Sequence, residues 1–266
     1  MHSHLPQPPQ AARGPLAGLG IVVTRPARQA AGFAEKLAIL GASPIVFPAI
    51  VIEPPDERRA LDDVHAQLHR YDFAMFVSAN AVEYGAPTAS RWPASLVALA
   101  PGDGTAEALL AAGIGNVRVP ATTHDSEGLL ALPELADVRG RRFVVFRGDG
   151  GRELFAETLR GRGAQVDIVS CYRRRAPTSG ASGLVEAMRE GRAHAVTVTS
   201  SEGFDNLWNV LGTDGRNALV RLPLFAPHAR IVEHVRARGI DAIATPPGDA
   251  GLIAGLLEWA RRRIAP

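Results

Sequence analysis

The feature that most constrains this chain is an internal repeat. Residues 18–50 align on residues 140–172 at a constant shift of 122, without a gap. Val22 and Val23 fall on Val144 and Val145, Arg25 falls on Arg147, and Gly41-Ala42 falls on Gly163-Ala164. Phe33, Glu35 and Leu37 fall on Phe155, Glu157 and Leu159, and the same shift carries Ser78 onto Ser200. After four inserted residues, Ala100-Pro101 matches Ala226-Pro227, Gly113-Ile114 matches Gly239-Ile240 and Pro120 matches Pro246. An ordered series of this kind means one architecture built twice.

Each copy alternates short apolar runs with helical periodicity. In the first, residues 21–24 form a β-branched run bounded by Gly20 and Arg25-Pro26, which predicts a buried strand. Phe33, Leu37 and Leu40 then recur at helical spacing, with Gly41 placed to close the helix. The pattern continues with strands at 45–47, 73–77, 96–99 and 117–119. Helices are expected around Leu61, Val64 and Leu68, then at 79–89, 105–112 and 126–132. Strands alternating with helices imply parallel sheets covered on both faces. The expected fold is α/β, with two doubly wound parallel-sheet lobes related by the repeat.

Composition narrows the function class. The 266 residues are 46% hydrophobic, enough to bury a core. Basic residues number 29 and acidic ones 27, a net charge of +2, which is not a nucleic-acid-binding surface. All but Lys36 of the basic residues are arginines, which is either the mark of a GC-rich genome or a set suited to clamping carboxylates in a bidentate fashion. The single cysteine, Cys171, excludes a disulfide framework and a multi-cysteine zinc site, in keeping with a cytoplasmic protein. No apolar run is long enough for a membrane helix, and residues 1–17 read as a disordered tail.

In doubly wound sheets, ligands bind beyond the carboxyl ends of the strands. The segments placed there are Arg25, Ser78-Ala79-Asn80, residues 101–105 with Thr105, the Arg147–Arg152 loop, Thr199-Ser200-Ser201 and Pro227-His228. The loop with Gly150, Gly151 and Arg152 could hold an anion, or be a glycine-rich turn before a helix. It fits neither the dinucleotide fingerprint nor the Walker pattern. Ser78, Thr105 and Ser200 are suited to helix capping, to ligand contact, or to both. His65 and His69 lack a third ligand in sequence and read as surface histidines. Tyr172, one of three tyrosines, is either a packing aromatic or a phenol that donates a proton.

Several segments together resemble the uroporphyrinogen-III synthase family. They are Val22-Val23-Thr24-Arg25-Pro26, Phe76-Val77-Ser78-Ala79-Asn80-Ala81-Val82 and Asp125-Ser126-Glu127-Gly128-Leu129-Leu130. With them go Arg147-Gly148-Asp149-Gly150-Gly151-Arg152-Glu153-Leu154, Arg162-Gly163-Ala164, Tyr172-Arg173-Arg174 and Val198-Thr199-Ser200-Ser201-Glu202-Gly203. The set is in family order from about residue 19 to residue 264. The resemblance implies a bilobed protein with its active-site cleft between the lobes. One lobe would comprise residues 18–46 plus 175–266 and the other residues 53–167. A two-stranded hinge at 47–52 and 168–174 would connect them.

The resemblance further implies a cyclising lyase without metal or cofactor. It would convert hydroxymethylbilane to uroporphyrinogen III with loss of water and inversion of ring D, and hydroxymethylbilane synthase would supply the substrate. A monomer, with no nucleic-acid or membrane partner, is implied as well. By position, Tyr172 matches the tyrosine proposed to assist departure of the hydroxyl, and Thr105 and Ser200 match hydroxyls lining the cleft. Ser78, Ala79, Asn80, Thr199, Ser201, Arg25, His228 and the Arg147, Gly150, Gly151, Arg152 loop are the expected neighbours. The chain departs from the family at Ala100 and at Pro227-His228. The rival readings are a non-catalytic tetrapyrrole- or anion-binding module, and a glycosyl- or nucleotide-transferring enzyme. The first would be expected to carry a DNA-binding or membrane segment, which this sequence lacks. The second would need phosphate and acidic metal motifs that are not found.

Overall fold

The computed structural model describes residues 14–123, 125–151 and 153–264. The first copy contributes β1 (Gly20–Val23), α1 (Ala27–Ile39), β2 (Ser43–Val46), β3 (Val51–Glu53), α2 (Arg59–Ala66), β4 (Phe73–Phe76), α3 (Ala79–Gly85), β5 (Val97–Leu99), α4 (Asp103–Ala111), β6 (Val117–Arg118) and α5 (Ser126–Leu130). The second contributes β7 (Arg142–Gly148), α6 (Leu154–Gly161), β8 (Gln165–Arg175), α7 (Ser182–Arg189), β9 (Ala195–Thr197), α8 (Ser201–Val210), α9 (Gly212–Leu219), β10 (Leu224–Ala226), α10 (Ala229–Arg236), β11 (Ala242–Ala244) and α11 (Gly248–Ile264).

Local chemistry explains most of the boundaries. Gly41 and Gly163, equivalent in the repeat, both adopt positive φ after α1 and α6. At the first, Gly41 N donates to Ala38 O and Ala42 N to Leu37 O; at the second, Gly163 N donates to Arg160 O and Ala164 N to Leu159 O. Both helices therefore end in the same Schellman motif. Three helices stop earlier than the periodicity predicts. The helix expected over 79–89 ends at Gly85, because Pro87 forces Ala86 to an extended ψ of 137°. The one expected over 126–132 ends at Leu130, and Leu132, before Pro133, is again extended. Leu68 lies in a separate 3-10 turn, Leu68–Arg70. In the second copy, α9 stands where the first has only the short turn Ala89–Arg91, so the inserted residues build a helix there.

The strands form two sheets, β11-β10-β9-β1-β2 and β6-β5-β4-β7-β8-β3. Under the repeat, the first five strands of the two orders correspond one for one. The registers correspond too: Ile21 pairs with Ala195 in the first sheet, and their equivalents Phe143 and Phe73 pair in the second. Each sheet thus joins two strands from one copy to three from the other, in parallel, and β3 adds a sixth strand to the second sheet beside β8. The chain divides accordingly into one compact unit of residues up to Val51 and from Arg175, and a second of Ile52–Arg174. Residues 165–170 pair in register with β7 and Tyr172 pairs with Gly148 after a one-residue slip, so this stretch belongs to the second unit's sheet.

In each unit, alternate residues of the central strands feed two separate cores. Val22, Val196 and Leu224 pack on one face of the first sheet, and Ile21, Val23, Ala195 and Phe225 on the other. Ala74, Phe76, Val144 and Phe146 do the same opposite Met75, Phe143 and Val145 in the second. Two expectations are corrected here. The tail expected at 1–17 falls mostly outside the described residues, but Leu16 is fully buried and its N–H donates to Leu40 O, so packing begins before residue 18. His65 is not a free surface histidine: it is half-buried and its Nε2 lies 2.8 Å from Gly85 O, tying α2 to the end of α3. No helix among the described residues is long and apolar enough to cross a membrane.

Candidate functional site

The carboxyl ends of β4, β7 and β8 bring together the most distinctive side chains of the second unit. The pairing of β7 with β8 slips at its end: Arg147 faces Ser170, whereas Gly148 faces Tyr172. Cys171 is the extra residue of this β-bulge, a device that re-aims side chains. Strict alternation would send two successive residues to opposite faces of the sheet, yet Cys171 and Tyr172, 0% and 5% exposed, both join the core of Ala74, Phe76, Val144 and Phe146. The Cys171 thiol donates to Arg147 O at 3.2 Å. Burial pushes its pKa up to about 12, so it stays protonated and takes no part as a nucleophile.

Tyr172 is laid down beside this bulge. Its hydroxyl lies 3.3 Å from Ser78 Oγ, and its ring is 6.3 Å from that of Tyr84. Ser78 caps α3, its Oγ accepting from Ala81 N at 3.2 Å. An O···O distance of 3.3 Å is long for hydroxyls, so the phenolic proton is only weakly engaged by serine. The loop after β7 is tied to the end of β8 twice: Asp149 N donates to Tyr172 O, and Arg174 N to Asp149 Oδ1 at 3.0 Å. Tyr84 donates to Ile52 O, and Arg173 pairs with Glu53, which fastens β3 alongside. Tyr84 was not anticipated; its only signal in sequence is the scarcity of tyrosine.

The other expected residues are placed as follows. Ala79 and Asn80 form the first turn of α3, and Thr105, buried, lies in the first turn of α4. Arg147 is half-buried and paired with Glu153 Oε1 at 3.3 Å. Gly150 and Gly151 follow it at φ +80° and +128°, values that favour glycine. Arg152 lies outside the described residues. In the first unit, Ser200 caps α8 by accepting from Gly203 N at 3.0 Å, with Thr199 and Ser201 half-buried on either side. His228 is exposed at the start of α10, where its imidazole makes no capping bond. Arg25 is drawn into packing: its guanidinium stacks 4.4 Å above the Phe33 ring and pairs with Asp249. The Nε atoms of the equivalent residues Arg25 and Arg147 are both buried without a hydrogen-bond partner among the described residues. Among those residues, no cluster of His, Cys, Asp and Glu is arranged to hold a metal.

Comparison with known proteins gives a consistent result. The family model described as uroporphyrinogen-III synthase HemD matches residues 31–254. The uroporphyrinogen-III synthase of Salmonella typhimurium is 35% identical over 198 residues, covering 72% of this chain and 80% of that protein. That of Synechococcus elongatus is 29% identical over 263 residues, covering 94% and 99%. Among solved structures, the synthase of Helicobacter pylori superposes with a TM-score of 0.59 at 11% identity, over 91% of this chain and 99% of that one. A mutant synthase of Thermus thermophilus does so with 0.58 at 21%, over 92% and 99%. At such identities the structural likeness concerns the fold alone.

Proposed function

Since the chain belongs to the uroporphyrinogen-III synthase family, we propose that it cyclises hydroxymethylbilane to uroporphyrinogen III, with Tyr172 as the proton donor. The reaction breaks the C–O bond of the ring A hydroxymethyl group. The phenol of Tyr172 gives its proton to the departing hydroxide, which leaves as water. The azafulvene cation that remains is stabilised by its own pyrrole. The substituted carbon of ring D then attacks, giving a spiro intermediate that reopens and recloses with ring D inverted. Loss of a ring proton restores aromaticity and returns the phenol to its starting state.

The protein's main contribution is orientation. The free position of ring D is the easier nucleophile, so the substrate must be folded until the substituted carbon is the one in reach. A linear polycarboxylate calls for main-chain N–H groups, hydroxyls and arginines. Ser78, Ala79, Asn80, Thr105, Arg147 and the Gly150-Gly151-Arg152 loop are assigned that role in the second unit. Arg25, Thr199, Ser200, Ser201 and His228 are assigned it in the first. We assign the protein to the cytoplasm as a monomer receiving its substrate from hydroxymethylbilane synthase. The observation that supports the reading is the bulge at Cys171, opposite Arg147 and Gly148, beside which the Tyr172 hydroxyl is only weakly engaged by Ser78.

The test is an isomer assay. Purified protein is added to freshly generated hydroxymethylbilane, and the oxidised type I and type III uroporphyrins are separated by chromatography. Type III that rises with protein concentration is the expected result. Type I alone, at the rate without protein, would leave a binding module of the same fold.

A further inference from the structure

Tyr172 owes its place to a residue with no side chain. A Cβ built on Gly148 would lie 2.7 Å from Tyr172 Cε2, 2.8 Å from Cζ and 3.2 Å from Cδ2. Cζ bears the hydroxyl, so the side of the ring that leads to the reacting oxygen rests directly on the Gly148 backbone. Gly148 does not have positive φ, so its conformation would admit any residue. Only the approach of the ring demands glycine. The loop cannot retreat easily, since Asp149 N is bonded to Tyr172 O and the Asp149 carboxylate to Arg174 N. Nor can the ring drop deeper, because Cys171 beside it is fully buried and packs against Gly85, whose own added Cβ would meet Cys171 Sγ at 2.8 Å.

We propose that Gly148 is a positioning residue for catalysis, its missing side chain setting where the Tyr172 hydroxyl stands relative to Ser78. This rests on the reading of Tyr172 as proton donor. A methyl group at residue 148 forces the ring aside by roughly half an ångström or more to restore ordinary contact. Displacements near 1 Å at a reacting group cost on the order of 100-fold in rate.

The experiment is a double-mutant cycle on Gly148→Ala and Tyr172→Phe, following type III formation as kcat and KM in variants shown to be folded by circular dichroism. Gly148→Ala is expected to lower kcat by about tenfold or more with KM little changed. In the Tyr172→Phe background, where no hydroxyl remains to be misplaced, the same change should cost less than about twofold. An equal loss in both backgrounds overturns the proposal and leaves the proton-donor reading intact. Wild-type turnover by Tyr172→Phe overturns that reading, and the proposal with it. Should Gly148→Ala fail to fold, Gly148→Ala is combined with Tyr172→Leu, which removes the ring. Recovery of the thermal midpoint of Tyr172→Leu supports the contact, and continued failure to fold refutes it.

Discussion

Arg25 and Asp249, 224 residues apart, meet with Nη1 2.5 Å from Oδ1, and Lys36 Nζ reaches the other carboxylate oxygen at 2.8 Å. The pair joins the loop after β1 to the start of α11. Burial works against ionisation of Asp249, but the hydrogen bonds from Lys36 and Arg25 outweigh it and hold the pKa below its usual value. A depressed carboxylate pKa stabilises the fold above the unfolded-state value, about 4, and that stability is lost as pH falls through the folded-state value. Asp249→Asn should therefore cost about 0.5–1 kcal/mol near neutral pH, a figure reduced by solvent screening, because it removes the charge that pairs with Arg25 and Lys36. Denaturant unfolding along a pH series should show the gap closing in acid. A constant gap would assign the loss to packing.

Tyr172→Phe removes one oxygen and leaves the ring on Gly148. General acid assistance is commonly worth 100-fold or more, but here the departing group is already activated by its pyrrole. A fall in kcat of roughly 10- to 100-fold is expected, with unchanged thermal stability, since the bond to Ser78 is weak. Steady-state kinetics and thermal unfolding on the same sample check both halves.

Ser200 has two candidate roles that substitution can separate. Its Oγ accepts from Gly203 N, so Ser200→Ala should lose about 1 kcal/mol of stability while Ser200→Gly loses only a few tenths. If the hydroxyl also holds substrate, both variants should raise KM to a similar degree. A KM that is unaffected in both would restrict Ser200 to its helix.

The elevated pKa of Cys171, from 9.0 to about 12, makes a statement about alkali. A folded-state pKa above the unfolded one stabilises the protein below the unfolded value, and that stability fades as pH rises from about 9. Tyr71, held by burial and by its bond to Asp167, is raised from 10.0 to about 12 and acts in the same direction. The native thiol should resist alkylating reagents at mildly alkaline pH, and a single thiol should become reactive on denaturation. Rapid labelling of the folded protein would contradict the burial.

Two glycines should respond oppositely to alanine. A Cβ on Gly20 would fall 1.7 Å from Arg192 O, a backbone atom that cannot step aside, so Gly20→Ala should abolish soluble expression or cost more than about 3 kcal/mol. Gly32 lies exposed within α1 with nothing near its missing Cβ, and Gly32→Ala should gain about 0.5–1 kcal/mol. Denaturation midpoints decide both.

The sequence by itself determined the kind of elements and their order. Apolar runs such as those of β1 and β7, and glycine at the ends of α1 and α6, are local signals carried by neighbours in the chain. The doubling was equally legible, because equivalent strands kept equivalent residues. Helix ends were less so: α3 stops where Pro87 acts through Ala86, a local effect that periodicity overlooks. Pairing β1 with β9, so that each sheet is shared between the copies, was decided by tertiary structure. Strand partners are chosen by packing across more than 170 residues of chain. The same holds for the site. Tyr172 could be picked out as a rare residue, but its contact with Ser78 depends on a one-residue slip at Cys171, and its room depends on the bare backbone of Gly148. Neither follows from spacing, since both arise only when the ends of β7 and β8 are laid side by side. Arg25 shows both sides: its place after a strand is legible in sequence, whereas its pairing with Asp249, 224 residues away, comes from the fold.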